Sequence, residues 1–291
     1  MLDCITIGTG ASEQQVREML LHIVLFLILQ NKYLFYKVAM RQLVCYDIEK
    51  IHKFEISDGG KSMIEYRWAT LGCGVIANQL AQAMQEQGGK LYSVANRTHE
   101  KAIAFAQKYG IEKVYDRIND VFEDENVDII YISTPHNTHI EYLRKALNAG
   151  KHVLCEKSIT LNAQELEEAV ALAKKNHVIL AEAMTIYHMP VYKKLEEIIS
   201  SGALGPLKLI QMNFGSYKEY DMTNRFFSRN LAGGAMLDIG VYALSFVRWF
   251  MTSKPDQIVS QVQYAPTGVD EQVGILLKNK EEEMATVILS L

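Results

Sequence analysis

The feature that most constrains this chain is the string Gly72-Cys73-Gly74-Val75-Ile76-Ala77, which follows the apolar run Trp68–Leu71 and opens a stretch with apolar residues at helical spacing. Each small residue has a physical task. Gly72 permits a tight turn, Gly74 lets backbone approach a pyrophosphate, and Ala77 lets the helix lie close on the strand. The turn through Val75 and Ile76 then presents unpaired N–H groups to the phosphates. In isolation such a string is a glycine turn, but between a strand and a helix it is a dinucleotide-binding fingerprint. A similar string, Ile7-Gly8-Thr9-Gly10-Ala11, has Glu13 where a small residue is needed, and is read as chance.

Behind the fingerprint, short apolar runs alternate with amphipathic stretches, the sequence form of βα units on a parallel sheet. The expected strands are Trp68–Leu71, Leu91–Ala95, Val114–Tyr115, Ile129–Ser133, Val153–Cys155 and Val178–Ala181. The expected helices are Ile76–Gln87, Glu100–Tyr109, Thr138–Ala149 and Asn162–Lys175. Gly88, Gly110 and Gly150 stand just past three of them, where a left-handed terminating residue is favoured. This is a doubly wound α/β domain, a Rossmann domain, assigned to residues 63–185.

The texture changes after Met189-Pro190. A helix over Val191–Ser200 leads to a long strand, Leu207–Tyr217. Gly233-Gly234 opens a helix reaching about Met251, and Gln257–Tyr264, Glu271–Leu277 and Glu283–Leu291 read as strands. Residues 186–291 are therefore expected to form an α+β domain with an open, mostly antiparallel sheet. Its last strand runs to the final residue, which we read as an incomplete, C-terminally truncated sheet. Residues 1–62 show no clear period. They are read as an extension ahead of a natural start at Met63.

Composition narrows the partners. With 30 Lys and Arg against 34 Asp and Glu the net charge is -4, which supplies no field for nucleic acid or an anionic membrane. The most apolar stretch, Met19–Leu29, is about half a bilayer span. The four cysteines, Cys4, Cys45, Cys73 and Cys155, form no CxxC pair and have no histidine at ligand spacing, so neither a metal site nor a disulfide framework is expected. A cytoplasmic protein with a small-molecule substrate or a second subunit as partner follows from this reading.

The choice of dinucleotide depends on the end of the second strand, where an acid would accept the ribose hydroxyls of NAD. Here the chain reads Ala95-Asn96-Arg97-Thr98. An arginine at that place pairs with a 2′-phosphate and favours NADP; if Arg97 is instead a solvated charge, NAD serves equally.

Two further motifs carry chemistry. Cys155-Glu156-Lys157-Ser158 ends the fifth strand, and ligands of open α/β sheets sit outside the carboxyl ends of the strands. A lysine there can assist proton transfer at a substrate hydroxyl, although a strand-end lysine is also an ordinary surface charge. In Gly234-Ala235-Met236-Leu237-Asp238-Ile239-Gly240-Val241-Tyr242, Asp238 and Tyr242 are four apart and emerge on one face of a helix. A tyrosine beside a lysine makes a general acid–base pair for a carbinol and carbonyl couple; the plainer alternative is a capping aspartate and a core tyrosine.

Taken in order, the fingerprint, Thr134-Pro135-His136-Asn137-Thr138-His139, Glu156-Lys157-Ser158 and Asp238-Ile239-Gly240-Val241-Tyr242 resemble the glucose-fructose oxidoreductase and inositol dehydrogenase (Gfo/Idh/MocA) family over 63–291. Glu182-Ala183-Met184, Pro190 and Gly202-Ala203-Leu204-Gly205 bring the resemblance nearer to the branch containing dimeric dihydrodiol dehydrogenase and NADP-dependent xylose dehydrogenase. Ser158 stands where that family usually has proline. The resemblance implies a Rossmann domain and hydride exchange between nicotinamide C4 and a sugar, polyol or dihydrodiol. It also implies a homodimer or homotetramer formed through the C-terminal sheet. By the same resemblance Lys157 assists catalysis, Tyr242 carries the proton, and Asp238 orients lysine or substrate. Thr134, Pro135, His139 and Glu156 would line the nicotinamide side. The family also contains catalytically silent NAD(P)-binding sensors and regulators, which is the alternative reading.

Overall fold

The computed structural model describes residues 66–291; the readings placed on 1–62, the second glycine string among them, lie outside the described residues. The chain divides into two compact units, one holding 66–134, 138–156 and 164–190 of the described residues, the other 135–137, 157–163 and 191–291. The short segment 157–163 thus belongs by its contacts to the second unit, although it lies within the sequence range assigned to the first domain.

The first unit is a six-stranded parallel sheet in the order β3-β2-β1-β4-β5-β6. Its strands are β1 (Trp68–Leu71), β2 (Ser93–Ala95), β3 (Lys113–Val114), β4 (Ile129–Ile132), β5 (His152–Cys155) and β6 (Leu180–Glu182). The helices α1 (Val75–Glu86), α2 (His99–Tyr109), α3 (Asp120–Glu123), α4 (His139–Asn148) and α5 (Ala163–Lys175) connect them. Helices on both faces leave the central strands no solvent side, which is why Trp-Ala-Thr-Leu in β1 and Ile-Ile-Tyr-Ile in β4 are buried at every position. The order reverses between β1 and β4, the switch point at which such sheets bind nucleotides. Every expected strand and long helix is present, with ends displaced by one or two residues; α3, a single turn between β3 and β4, was not expected. Gly88, Gly110 and Gly150 take left-handed conformations as their positions required.

The second unit opens with α6 (Pro190–Ser200) and holds β7 (Leu209–Gly215), β8 (Gln257–Tyr264), β9 (Asp270–Lys278) and β10 (Met284–Ser290) in the order β7-β10-β9-β8. The hairpins β8–β9 and β9–β10 are antiparallel, whereas β7 and β10 pair in parallel. That parallel pairing runs from Leu209↔Met284 to Gly215↔Ser290, so β7 is shorter than the expected Leu207–Tyr217. A π-helical turn, Met236–Gly240, runs into α7 (Val241–Phe250). Ala235, just ahead of this element, and Ile239, Ala243, Val247 and Phe250 within it bury against Val273, Ile275, Leu277, Ala285, Val287 and Leu289 of the sheet. The helical stretch Arg229–Phe250 is long and apolar enough to cross a membrane by length and composition, and the sheet accounts for its apolar side. Strand β8 is exposed along its whole length, and Leu209, Val259, Leu276 and Ile288 expose large apolar side chains.

Candidate active site

The glycine loop lies between β1 and α1. Gly72 adopts φ +110°, and a Cβ there would stand 2.8 Å from Ser133 Oγ and 3.0 Å from Ser133 O, so both conformation and space demand glycine. Gly74 differs: its φ is -74° and a Cβ would meet nothing within 4 Å, leaving the backbone open to an approaching group. The first intrahelical bond runs from Asn78 N–H to Gly74 O at 3.1 Å. The preceding turn, with Val75 exposed and Ile76 half-buried, carries no side-chain cap and no acid. Uncapped N–H groups, a cradle open at Gly74 and no opposing carboxylate fit a dinucleotide pyrophosphate.

Asn78 braces this loop, a function that no sequence signal disclosed. Its amide donates to Gly74 O at 2.9 Å, while its Oδ1 accepts from Lys108 Nζ and Tyr109 OH, both at 2.8 Å. Cys73, between the glycines, is no nucleophile: burial pushes its thiol up to about 11, although the charge of Lys101 pulls the other way.

The remaining first-unit candidates divide by exposure. Arg97 is exposed at the end of β2, where Asn96 donates to Thr98 O at 2.9 Å. His139 is fully buried, and its Nε2 lies 2.8 Å from Thr134 O, so it holds the Thr134 backbone and presents no surface of its own. Thr138 Oγ1 donates to Thr134 Oγ1 at 2.8 Å. Glu156 continues the ladder of β5, its N–H reaching Ile132 O at 2.9 Å, and its carboxylate accepts from the buried Tyr131 hydroxyl. Pro135 directly follows Thr134 in a segment that belongs to the second unit.

Within the second unit, Lys157, Asp238 and Tyr242 come together. Lys157 Nζ donates to Asp238 O at 2.6 Å and to Asp238 Oδ1 at 3.0 Å. The same ammonium lies 5.0 Å from the centre of the Tyr242 ring, and the Phe214 ring centre lies 6.3 Å from that of Tyr242. Asp238 stands in the π-helical turn rather than in the α-helix that the four-residue spacing suggested. Such a turn re-aims side chains and recurs at functional sites. Asp270 holds its start, accepting from Met236 N at 2.6 Å. Ser158 Oγ donates to Leu237 O at 2.9 Å, a second tie between the lysine segment and this turn. The Lys157–Ser158 peptide is cis.

Burial works to raise the Asp238 carboxyl, yet the charge and hydrogen bond of Lys157, then the charges of Lys218 and Arg225, hold it below the ordinary aspartate range. Asp238 is accordingly an ionised acceptor. Lys218, which the sequence did not single out, approaches Asp238 Oδ2 at 3.6 Å. Among the described residues no group of three His, Cys, Asp or Glu side chains is arranged to hold a metal ion.

The strand order, the open glycine loop and the uncapped helix define a dinucleotide-binding Rossmann protein. The chain belongs to the GFO/IDH/MocA oxidoreductase family. Residues 66–184 match that family's NAD-binding Rossmann model, and 192–291 match its C-terminal domain. Trans-1,2-dihydrobenzene-1,2-diol dehydrogenase of Xenopus tropicalis is 32% identical over 225 residues, covering 76% of this chain and 68% of that protein. The Homo sapiens protein of the same name is 34% identical over 216 residues, covering 73% and 64%. The chain thus spans about two thirds of the length of these curated relatives. In fold it is similar to a 3-ketoreductase from Actinomadura kijaniata, solved with NADP and TDP-benzene. The TM-score is 0.73 and the identity 24%, over 78% of this chain and 70% of that one. Myo-inositol 2-dehydrogenase from Lactobacillus plantarum gives a TM-score of 0.70 at 24% identity, over the same shares.

Proposed function

We propose that this chain is an NAD(P)-dependent dehydrogenase, with NADP preferred, acting on a CH–OH group of a sugar, polyol or dihydrodiol. The observation that carries the reading is the Lys157–Asp238–Tyr242 cluster, in which a half-buried carboxylate holds an ammonium against a phenol ring. A lysine and a tyrosine so placed are the parts that carbinol oxidation needs. A silent sensor has no need of them.

The chain's residues divide the work as follows. Gly72, Gly74 and the N–H groups of Val75 and Ile76 bind the pyrophosphate, and Asn96 and Arg97 meet the adenosine ribose, Arg97 pairing with its 2′-phosphate. Thr134, backed by His139, together with Pro135 and Glu156, lines the nicotinamide side. When bound, the nicotinamide supplies the hydride acceptor or donor. Lys157 stabilises the phenolate form of Tyr242, which takes the proton from the substrate hydroxyl at its phenol oxygen and becomes the neutral phenol. Asp238 fixes Lys157 and stays ionised throughout.

The support for NADP is the exposed Arg97 with no acid in Ala95-Asn96-Arg97-Thr98, and the support for a dihydrodiol among the substrates is the name of the curated relatives, trans-1,2-dihydrobenzene-1,2-diol dehydrogenase. A second copy of the chain is the proposed partner for the uncovered apolar face of the second sheet, a patch that water disfavours. A cytoplasmic location suits the free thiols of Cys73 and Cys155. The test is a fluorescence titration with NADPH and NADH, followed by aldoses, inositols and dihydrodiols in the same cuvette. Tighter NADPH binding with turnover of at least one substrate is expected. Cofactor binding with no turnover would return the chain to the sensor reading.

A further inference from the structure

The sequence motifs account for one of the two ammonium groups on Asp238. Lys157 occupies Oδ1 and the backbone carbonyl. The other carboxylate oxygen, Oδ2, faces Lys218 Nζ at 3.6 Å. That separation is too long for a hydrogen bond and short enough for an ion pair, so Lys218 acts on Asp238 through charge. Both partners are sheltered, with side chains 17% and 13% exposed, which keeps solvent from screening the attraction.

Lys218 is itself firmly placed. Its ammonium donates to Ser216 Oγ at 2.7 Å and lies 4.1 Å from the centre of the Phe226 ring, a cation–π contact. The Arg225 guanidinium covers the same ring at 4.0 Å. Lys218 follows β7 by three residues, whereas Lys157 lies in the separate segment 157–163. Two independent stretches of chain therefore deliver one ammonium to each oxygen of a single carboxylate. A carboxylate held from both sides cannot turn about its Cβ–Cγ bond without losing one of the two attractions. Lys157 Nζ in turn takes its place over the Tyr242 ring from the oxygen that faces it.

We infer that Lys218 is a positioning residue for the proposed reaction: it orients the Asp238 carboxylate so that Lys157 is held beside Tyr242, without touching the reacting atoms itself. The inference rests on the reading given under Proposed function. The charged groups acting on Asp238 are Lys157, Lys218 and Arg225, and Tyr242 faces Lys157 from α7. Loss of Lys218 removes one of three positive charges that favour the ionised carboxylate. It also frees the carboxylate to rotate.

The experiment compares the full chain with Lys218→Met, Lys218→Gln and Lys218→Arg. Carbon-13 NMR follows the acid titration of the Asp238 carboxyl, its signal assigned by loss in Asp238→Asn. The midpoint should rise in Lys218→Met and return toward the wild-type value in Lys218→Arg. In turnover, kcat should fall on the order of tenfold in Lys218→Met, with KM and cofactor Kd within about twofold of wild type, and Arg should recover most of the loss. If Lys218→Met does not fold, Lys218→Gln, which can still donate to Ser216, takes its place and should raise the midpoint in the same way. An Asp238 midpoint that stays at the wild-type value in both neutral variants overturns the inference, whatever happens to their thermal stability. Should the wild-type chain turn over no substrate, the functional reading fails, while the carboxyl titration still decides whether Lys218 governs Asp238.

Discussion

The Lys157 ammonium bonds twice to one residue, at 2.6 Å to the backbone oxygen of Asp238 and at 3.0 Å to its Oδ1. A lysine tethered at two points loses much of the rotamer freedom that a surface lysine keeps, and its ammonium is held 5.0 Å from the centre of the Tyr242 ring. Lys157→Met should therefore lower kcat by about 10² to 10⁴, the usual worth of a proton-transfer group, and leave cofactor affinity within about twofold. Steady-state rates and a fluorescence titration of the same preparation check both halves.

The two fingerprint glycines should fail in different ways. Gly72→Ala forces a side chain onto φ +110° and against Ser133, and should cost about 1–3 kcal/mol in urea denaturation. Gly74→Ala meets open space at φ -74°, so its stability should stay within about 0.5 kcal/mol of wild type. Its dinucleotide affinity should still fall at least about tenfold, because the new methyl group occupies the place of the phosphate. Equal stability losses in the two variants would contradict this assignment.

Arg97 discriminates between cofactors only if it pairs with the 2′-phosphate. Replacing it with alanine should weaken NADPH by about tenfold, the scale of one charge-assisted hydrogen bond, and leave NADH nearly unaffected. Losses of equal size for both cofactors would reduce Arg97 to a general surface charge.

Acid stability should depend on Asp124. Burial acts to raise this carboxyl, but hydrogen bonds from Lys113 at 2.6 Å, Tyr115 at 2.6 Å and the Asn126 backbone at 2.9 Å hold it well below the ordinary range. Because the folded value lies under the unfolded one, the contribution is complete above about pH 3.9 and is lost as pH falls through the folded value. The stability gap between wild type and Asp124→Asn should therefore be constant from neutral pH down to about pH 5 and shrink below it. Urea midpoints across that range measure it, and a gap that widened in acid would reverse the sign argued here.

Much of the first unit was legible because parallel strands buried on both faces leave unbroken apolar runs, as in Ile129–Ile132, and because the glycines that end its helices need positive φ. The second unit was legible as elements but not as a sheet: nothing local in Leu209–Gly215 says that its neighbour is Met284–Ser290 or that the two run parallel. At the site, Lys157, Asp238 and Tyr242 stand in ordered motifs, and their order carried the family resemblance. The residues that brace the glycine loop, Glu156 and Asp238 carry no such mark. Lys218, Asn78 and Tyr131 act through contacts made at sequence separations that no window spans, as the 31 residues between Asn78 and Tyr109 illustrate. His139 was read as a lining residue because its motif is recognisable; that it is fully buried, holding Thr134 from beneath, follows from packing alone. The π-helical turn at Met236–Gly240 was likewise beyond a spacing rule built on 3.6 residues per turn.

The most direct test of the central claim is nicotinamide reduction by the wild-type chain with NADP⁺ across a panel of aldoses, inositols and dihydrodiols, run beside Lys157→Met. The account predicts reduction by wild type with at least one substrate, and a variant that binds the cofactor as wild type does while reducing it at least about a hundredfold more slowly. Equal rates for wild type and Lys157→Met, or cofactor binding by both with turnover by neither, would contradict it.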